Sequence, residues 1–391
     1  MKKLPLKLLL LFSVFFIFSS CEDEILEDSR LNSTELNSEG ESSKTVSTIC
    51  AMVENQSITS AYFPEIRSIK LPFSGPSTLS NNILVLPNVN YFYSTAEDLD
   101  LMVENHNDAF DVLTAGMTSE QADDYADATG FNEDQPLVDF ENQLYFNSLR
   151  KMIETQYNIW LNLQGDVFDY TTDPDNHFIE DETERTLLGV RADIIIGDCR
   201  NGFTYYRFYD WGYVTVPMDS NFNDVMDVLN DLNAGATDQE TVEDIIKSNG
   251  IGNTHGEGNP PNIPCSTKYK QHKIEAHLFS STRKVESKMK FKVPLFEEWN
   301  GDQKIFAKTT SFRKKNGKWK KFRADIYAGF YGQLTGYDNC QVFTLTPESK
   351  AKKRKKLTKK KYYINRSRFQ DNHLYSLAKQ DGNQVSFDFW D

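Results

Sequence analysis

Residues 305–327 read IFAKTTSFRKKNGKWKKFRADIY, and they decide the fold class. The runs Ile305 to Phe312 and Trp319 to Tyr327 are rich in β-branched and aromatic residues, which suit a pleated, half-buried surface. Between them stands Asn316-Gly317, two residues that tolerate positive φ, as a two-residue hairpin turn demands. The stretch is therefore expected to be an antiparallel hairpin. The same signals recur on both sides of it. Ile274 to Leu278 and Val285 to Val293 come before; Gln341 to Leu345, Leu357 to Ile364, Leu374 to Leu377 and Val385 to Phe389 come after. Asp381-Gly382 supplies a second hairpin dipeptide. Residues 265–391 are expected to form an antiparallel β-sandwich or small barrel of about seven or eight strands.

Upstream, the periodicity changes. Gly and Pro are dense around Asn259-Pro260-Pro261, which marks 251–264 as a linker. Before it, Leu99, Met102, Val103, His106, Phe110 and Leu113 recur at spacings of three and four, the stripe of an amphipathic helix. Thr118 or Ser119 is placed to cap a second helix and Gly130 to end it. Phe140 and Leu144 suggest a further turn or two. Ser148 heads a helix carrying Leu149, Ile153, Tyr157, Trp160 and Leu161, and Asp181 to Leu188 gives a short one. Phe222 to Leu232 and Val242 to Ile246 are also helical. Ala192 to Ile196, Phe203 to Phe208 and Tyr213 to Val216 form a small β-hairpin element, and Ile83 to Leu86 is a short buried strand ended by Pro87. Residues 49–78 fit neither period. The fold class is thus α+β, with an acidic, mainly helical domain over 49–250 and a basic all-β domain over 265–391.

The first twenty residues carry the parts of an export signal: Lys2, Lys3 and Lys7, then an apolar run from Leu8 to Phe18, then two serines. That run falls short of the roughly 20 residues a membrane span needs. Cys21 follows directly, in Phe18-Ser19-Ser20-Cys21, which resembles a relaxed bacterial lipobox. Residues 1–20 are read as a signal peptide and Cys21 as the site of lipidation. Residues 21–48, rich in Ser, Glu, Asp and Asn, are read as a flexible acidic tether. Glu22, Asp23 and Glu24 resemble a surface-export signal, so an outer membrane lipoprotein facing the cell surface or the periplasm is expected.

Charge divides sharply along the chain. Before Pro261 there are 14 Lys and Arg against 45 Asp and Glu; from Pro261 onward there are 29 against 12. The net charges, −31 and +17, combine to the −14 of the whole chain. Such asymmetry speaks to partners rather than to fold. Two basic clusters stand out. One, around the Asn316-Gly317 turn, includes Arg313, Lys314, Lys315, Lys318 and Lys320, with Trp319 among them. The other includes Lys353, Arg354, Lys355 and Lys356. Cations interleaved with rings can hold an anionic glycan, a lipopolysaccharide or another anionic polymer, nucleic acid being the least favoured. Two plainer uses compete. Alternating lysines can simply solvate the outer face of strands and blunt sheet edges, or they can dock onto the acidic half of the same or a neighbouring molecule.

Catalytic signals are sparse. There is no HExxH, GxSxG, GxGxxG or Walker motif, and no CxxC. His272 and His277 lie five apart in an expected strand, hence on opposite faces. His106 falls on an apolar helix stripe, where a packed, hydrogen-bonded role is expected, and His255 sits in the linker. Asp173, Asp175 and Asn176 invite a calcium loop, but His177 and Phe178 stand where its glycine and ligand are needed; a turn-forming role is expected instead. No catalytic residue, metal site or cofactor is assigned; the favoured reading is a membrane-anchored, non-enzymatic binding or adhesion protein that contacts an anionic polymer or partner through its basic C-terminal domain. A glycan-directed hydrolase built from dispersed carboxylates stays as the alternative from another class, beside a structural envelope protein. With Cys21 lipidated, Cys50, Cys199, Cys265 and Cys340 allow three disulfide connectivities. The pair Cys265–Cys340, flanking the strand-rich region, is favoured.

The stretch Gly130-Phe131-Asn132-Glu133-Asp134-Gln135-Pro136-Leu137, continued by Asp139-Phe140-Glu141 and Ser148-Leu149-Arg150, resembles a segment recurring in uncharacterised Bacteroidota lipoproteins of unknown function. Asp173-Pro174-Asp175-Asn176-His177-Phe178-Ile179 is similar to another part of that pattern, as are the Ile196-Gly197 hairpin and the lysine-rich strands. The resemblance covers about half of the chain beyond the signal. It implies envelope location and lineage and transfers no functional residue.

Overall fold

The computed structural model describes residues 42–74, 82–218, 221–256, 271–292, 295–296, 303–336, 342–363 and 369–388. Cys21, Cys265 and Cys340 lie outside them, so neither the lipidation site nor the favoured disulfide falls on described residues.

The acidic half is built on a seven-stranded sheet whose strands lie in chain order: β1 (Ile58–Thr59), β2 (Arg67–Lys70), β3 (Asn82–Leu86), β4 (Asp193–Asp198), β5 (Gly202–Tyr209), β6 (Gly212–Pro217) and β7 (Asn253–Gly256). The small hairpin element read from sequence is the centre of this sheet. Residues 49–78, which fitted neither period, supply β1 and β2, and the start of the expected linker supplies β7. All neighbours are antiparallel except β3 and β4, where Val85 pairs with Ile195 in parallel. A parallel pair needs a long crossover. Here the crossover carries five helices: α2 (Val89–Leu113), α3 (Ser119–Thr129), α4 (Gln135–Gln143), α5 (Leu149–Leu163) and α6 (Glu182–Leu187). Strand alternation then divides the core in two. Ile83, Val85 and Ile195 face α1 (Ser42–Asn55), α7 (Phe222–Asn233) and α8 (Gln239–Asn249), packing with Ile49, Val53, Val225, Leu229 and Ile246. Leu84, Leu86, Ile194 and Ile196 face the crossover, packing with Phe92, Leu99, Leu137, Phe140 and Ile153. Cys50 of α1 and Cys199 of the β4–β5 turn are joined by a disulfide.

Helix ends follow the local chemistry. Thr118 caps α3 in a capping box with Gln121, and Gly130 ends it with φ 69°. Ser148 and Asp181 accept from the first turns of α5 and α6.

The basic half is a sandwich of two antiparallel sheets, with no closed barrel among the described residues. Its strands are β8 (Gln271–Ser280), β9 (Arg283–Lys292), β10 (Gln303–Lys315), β11 (Lys318–Lys321), β12 (Ala324–Gly336), β13 (Val342–Arg354), β14 (Lys356–Tyr363), β15 (Phe369–Gln380) and β16 (Asn383–Asp388). One sheet runs β11-β10-β9-β8, with β14 also on β10, and the other runs β13-β12-β15-β16. Long β10 takes β14 along its first part and β11 along its last, while β9 covers its other edge. Val285, Met289, Ile305, Ala307, Phe330 and Ala378 fill the space between the sheets. The two hairpin dipeptides do what their chemistry suggests. Asn316 and Gly317 have φ of 53° and 76°, and Asp381 and Gly382 have 46° and 88°. Residues Gly40–Asp391 pack as one compact unit. Among the described residues, no helix is long and apolar enough to cross a membrane.

Candidate functional site

The faces of the β10 sheet are set by alternation. Val285, Ser287 and Met289 of β9 point into the sandwich, so Lys284, Glu286, Lys288 and Lys290 point away from it. On β10, Phe306, Lys308, Thr310 and Phe312 share that outward face, because Lys308 pairs with Lys288 and Phe306 with Lys290. On β14, Lys356 and Lys360 join them, opposite Thr310 and Phe306. A face on which lysines stand directly opposite one another is self-repelling. It should therefore be either wet or neutralised. It is neutralised: Lys288, Lys290 and Lys308 are only 1, 7 and 8% exposed and are paired with carboxylates. Of the uses expected for the lysines, this face shows docking onto the acidic half of the same molecule rather than solvation.

What covers the face is the acidic half. The segment 166–182, between α5 and α6, lies over β9 and β10. Lys288 Nζ is 2.9 Å from both Asp173 Oδ2 and Asp175 Oδ2. Lys308 Nζ lies 3.0 Å from Asp175 and 3.0 Å from Glu182. Lys356 reaches Asp134 at 2.8 Å and also pairs with Glu182. Lys290 reaches Glu180 at 3.1 Å and the Phe178 carbonyl at 2.7 Å, and Lys360 reaches Asp181 at 2.9 Å. Arg185 of α6 closes on Asp175 from within its own half, at 2.5 Å. Neighbouring pairs thus share carboxylates, and removing one ion exposes several others.

A second stretch of the seam follows α2 and α3. Arg354 lies 2.7 Å from Asp108 and also pairs with Asp111. Lys350 and Lys352 reach Glu104, at 2.7 and 3.2 Å. Fully buried Arg323 holds Asp111 and Glu133 at 2.6 and 2.5 Å, with its guanidinium 4.7 Å from the Phe110 ring centre and 5.3 Å from that of Phe131. Planar guanidinium suits this combined stacking and forked bonding better than an ammonium does.

Burial works to raise the pKa of Asp175, but the positive fields of Lys288, Lys308 and Arg185 overcome it and hold the group well below the ordinary carboxylate range. Glu182 behaves alike, burial being overcome by Lys356 and Lys308. Glu286 differs: burial raises it, and nearby Lys288 does not fully offset that. Among the described residues, no carboxylate pairs with the Lys284 ammonium. It bonds the Asp166 carbonyl and sits 3.5 Å above the Phe168 ring, and burial lowers its pKa to about 8.

The candidate residues read from sequence fall mostly inside this seam. Arg313 lies 2.6 Å from Asp123 and 3.0 Å from Asp124. Lys314 is 2.6 Å from Asp166, and Lys315, more exposed, is 3.6 Å from Asp124. Lys353 bonds the Met117 carbonyl, and the backbone of Lys355 donates to Glu133. Trp319 is no surface ring. It is 1% exposed and packs with Tyr157, Trp160, Leu161, Phe168 and Phe312 at the contact of α5 with β10 and β11. Lys318 and Lys320 are exposed at the hairpin tip. Sequence reasoning missed Asp175, Glu182, Asp108 and Glu133 as the partners of these cations. The available signal was the acidic count of the first half, which names no positions.

The seam encloses a cavity of about 460 Å³, reached by Leu101, Glu104, Glu182, Phe306, Lys350 and Lys356 among others. A hydrolytic pair sets one carboxyl pushed up beside another held ionised. Burial raises Glu104, but Lys350 and Lys352 bring it below its ordinary value, and Glu182 is lower still. Glu104 and Glu182 are thus both lowered rather than one raised beside the other, and each lies on lysines. Three histidines make local packing and backbone contacts. His106 stacks on Phe131 and its Nε2 lies 2.9 Å from the Asn132 carbonyl. His177 Nδ1 accepts from the Ile179 amide at 3.1 Å. His255, on β7, pairs with Tyr213 of β6 and stacks on its ring.

No family model and no curated protein matches the chain. The structure of a DUF4848 family protein from Bacteroides thetaiotaomicron is similar at 12% identity over 78% of this chain and 97% of that one, with a TM-score of 0.16. At that score, neither fold nor function is carried across.

Proposed function

We propose that the chain is a non-enzymatic lipoprotein of the bacterial envelope, anchored in the outer membrane through a lipid on Cys21. Its basic sandwich serves first to hold its own acidic half. The observation that carries this reading is the burial of Lys288, Lys290 and Lys308 against Asp173, Asp175, Glu180 and Glu182. Cations committed in this way have already lost their water and counterions, so they offer a foreign polyanion little of the counterion release that drives such binding. The role that remains is structural: a self-neutralised body at the end of a tether. Binding of an anionic glycan or lipopolysaccharide is the second reading, and the exposed Lys315, Lys318 and Lys320 at the hairpin tip favour it.

Two measurements separate these readings. The full chain on a heparin column should elute at or below physiological ionic strength. Retention well above that, abolished by Lys318→Ala and Lys320→Ala together, would favour the polymer reading. Cys21→Ala should move the protein out of the membrane fraction, and an unchanged distribution would remove the anchor from the account.

A further inference from the structure

Residues 155–165 of the acidic half read TQYNIWLNLQG and hold no Asp, Glu, Lys or Arg. They form the last turns of α5 and the start of the loop after it. The inner face of this helix end is already buried, because Tyr157, Trp160 and Leu161 pack with Phe168, Phe312 and Trp319. A surface helix normally turns polar residues outward. Here Ile159 and Leu163, four apart and so on one face, are 61 and 78% exposed, and Val167 in the loop is 89% exposed. Apolar side chains exposed singly need no explanation, but a group of them marks a contact surface.

The β10–β11 hairpin tip stands beside this group. Lys314 lies 2.6 Å from Asp166, the residue before Val167. Trp319 packs edge-on against Phe168, the residue after it, with ring centres 6.2 Å apart. Lys315, Lys318 and Lys320 are exposed at the tip. Of the exposed carboxylates nearby, Asp124 and Asp166 lie on Arg313 and Lys314, and Asp169 accepts from Thr171. Among the described residues, no carboxylate pairs with Lys318 or Lys320. We propose that this face rests on an anionic lipid bilayer. Ile159, Leu163 and Val167 enter the boundary between headgroups and acyl chains, which takes apolar side chains to a depth of roughly 5–10 Å. Lys315, Lys318 and Lys320 lay their stems along it and carry their ammonium groups up to the lipid phosphates. A soluble polyanion would use the cations and leave the apolar group in water; the bilayer surface takes both. The nearness of a bilayer rests on the lipid at Cys21 proposed above, since residues 21–41 span at most roughly 75 Å.

Vesicle co-sedimentation of the compact unit Gly40–Asp391 tests this. That unit carries neither the signal nor Cys21, so its binding reports the face and not the anchor, which fractionation of Cys21→Ala tests separately. It should sediment with vesicles of equal parts phosphatidylglycerol and phosphatidylcholine, far less with phosphatidylcholine alone, and salt should weaken the binding. Ile159→Ser, Leu163→Ser and Val167→Ser together should lower partitioning on the order of 100-fold. Lys318→Ala with Lys320→Ala should lower it roughly 30-fold on the anionic vesicles alone. All five side chains are exposed, so circular dichroism of both variants should match the parent. No sedimentation with the anionic vesicles would overturn the proposal. Undiminished binding by the folded triple-serine variant would also overturn it, leaving the lysines alone as the contact. A dimer of the parent in gel filtration that the triple-serine variant dissolves would give the face to a second copy instead.

Discussion

Asp175→Ala is the sharpest perturbation of the seam. That carboxylate is shared by Arg185 at 2.5 Å, Lys288 at 2.9 Å and Lys308 at 3.0 Å, all three cations being buried. After its removal Lys288 still has Asp173 and Lys308 still has Glu182. Arg185 is left with the backbone oxygens of Ile179 and residue 175. One guanidinium thus loses its countercharge, and two ammonium groups lose one of two. Removing one partner of a buried pair costs about 3–5 kcal/mol. The retained partners of the lysines place the expectation near the lower end, about 3 kcal/mol. In urea unfolding followed by tryptophan fluorescence, with a slope on the order of 3 kcal/mol/M, that moves the midpoint down by about 1 M. Lys315→Ala, at an exposed 3.6 Å contact, should leave the midpoint in place. A loss below about 1 kcal/mol for Asp175→Ala would refute the reasoning, because it would put this network in the range of surface pairs.

Other outcomes follow from particular groups. Burial and Arg185 push the His177 pKa down to about 3, so the unfolded chain takes up a proton first. The stability this residue contributes is complete above its unfolded value near 6.5. It falls by about 1.4 kcal/mol per pH unit as pH drops toward 3, and His177→Asn should flatten that slope in denaturation measured from pH 7 to 4. Cys50→Ser opens a link across a sequence separation of 149; the chain-entropy model gives a loss of about 5 kcal/mol, read as a lower thermal midpoint without reductant. Gly317 has φ 76° and nothing within 4 Å of an added Cβ, so Gly317→Ala should cost only the backbone strain, about 1 kcal/mol, in the same urea assay.

Much of the fold was legible because its signals are local. Asn316-Gly317, Asp381-Gly382, Thr118 with Gln121, and Gly130 each fix a turn or cap from a few neighbouring residues. The parallel pairing of β3 with β4 was not, since it depends on Ile83 to Leu86 finding a strand beyond five intervening helices. The charge division was also visible, but its use was hidden. A strand such as β9, with lysines on alternate positions, reads alike whether that face meets water or a layer of carboxylates. The distinguishing partners, Asp173 and Asp175, lie more than a hundred residues away from Lys288. Their short Asx turn, in which Asp173 Oδ1 accepts from the Asp175 amide at 2.9 Å, explained the local sequence well enough to hide the long-range role. Trp319 misled for a related reason. Flanking lysines suggested an exposed ring, whereas the strand pleat turns that one side chain inward against α5.

Amine labelling of the native chain, read lysine by lysine in mass spectra, tests the central claim most directly. Lys290 and Lys308 should stay unmodified under conditions in which Lys318 and Lys320 react fully, and should become reactive only when the protein is unfolded. Labelling of Lys290 and Lys308 at the rate of Lys318 in the folded protein would mean that the basic face is open to solvent, and would contradict the account.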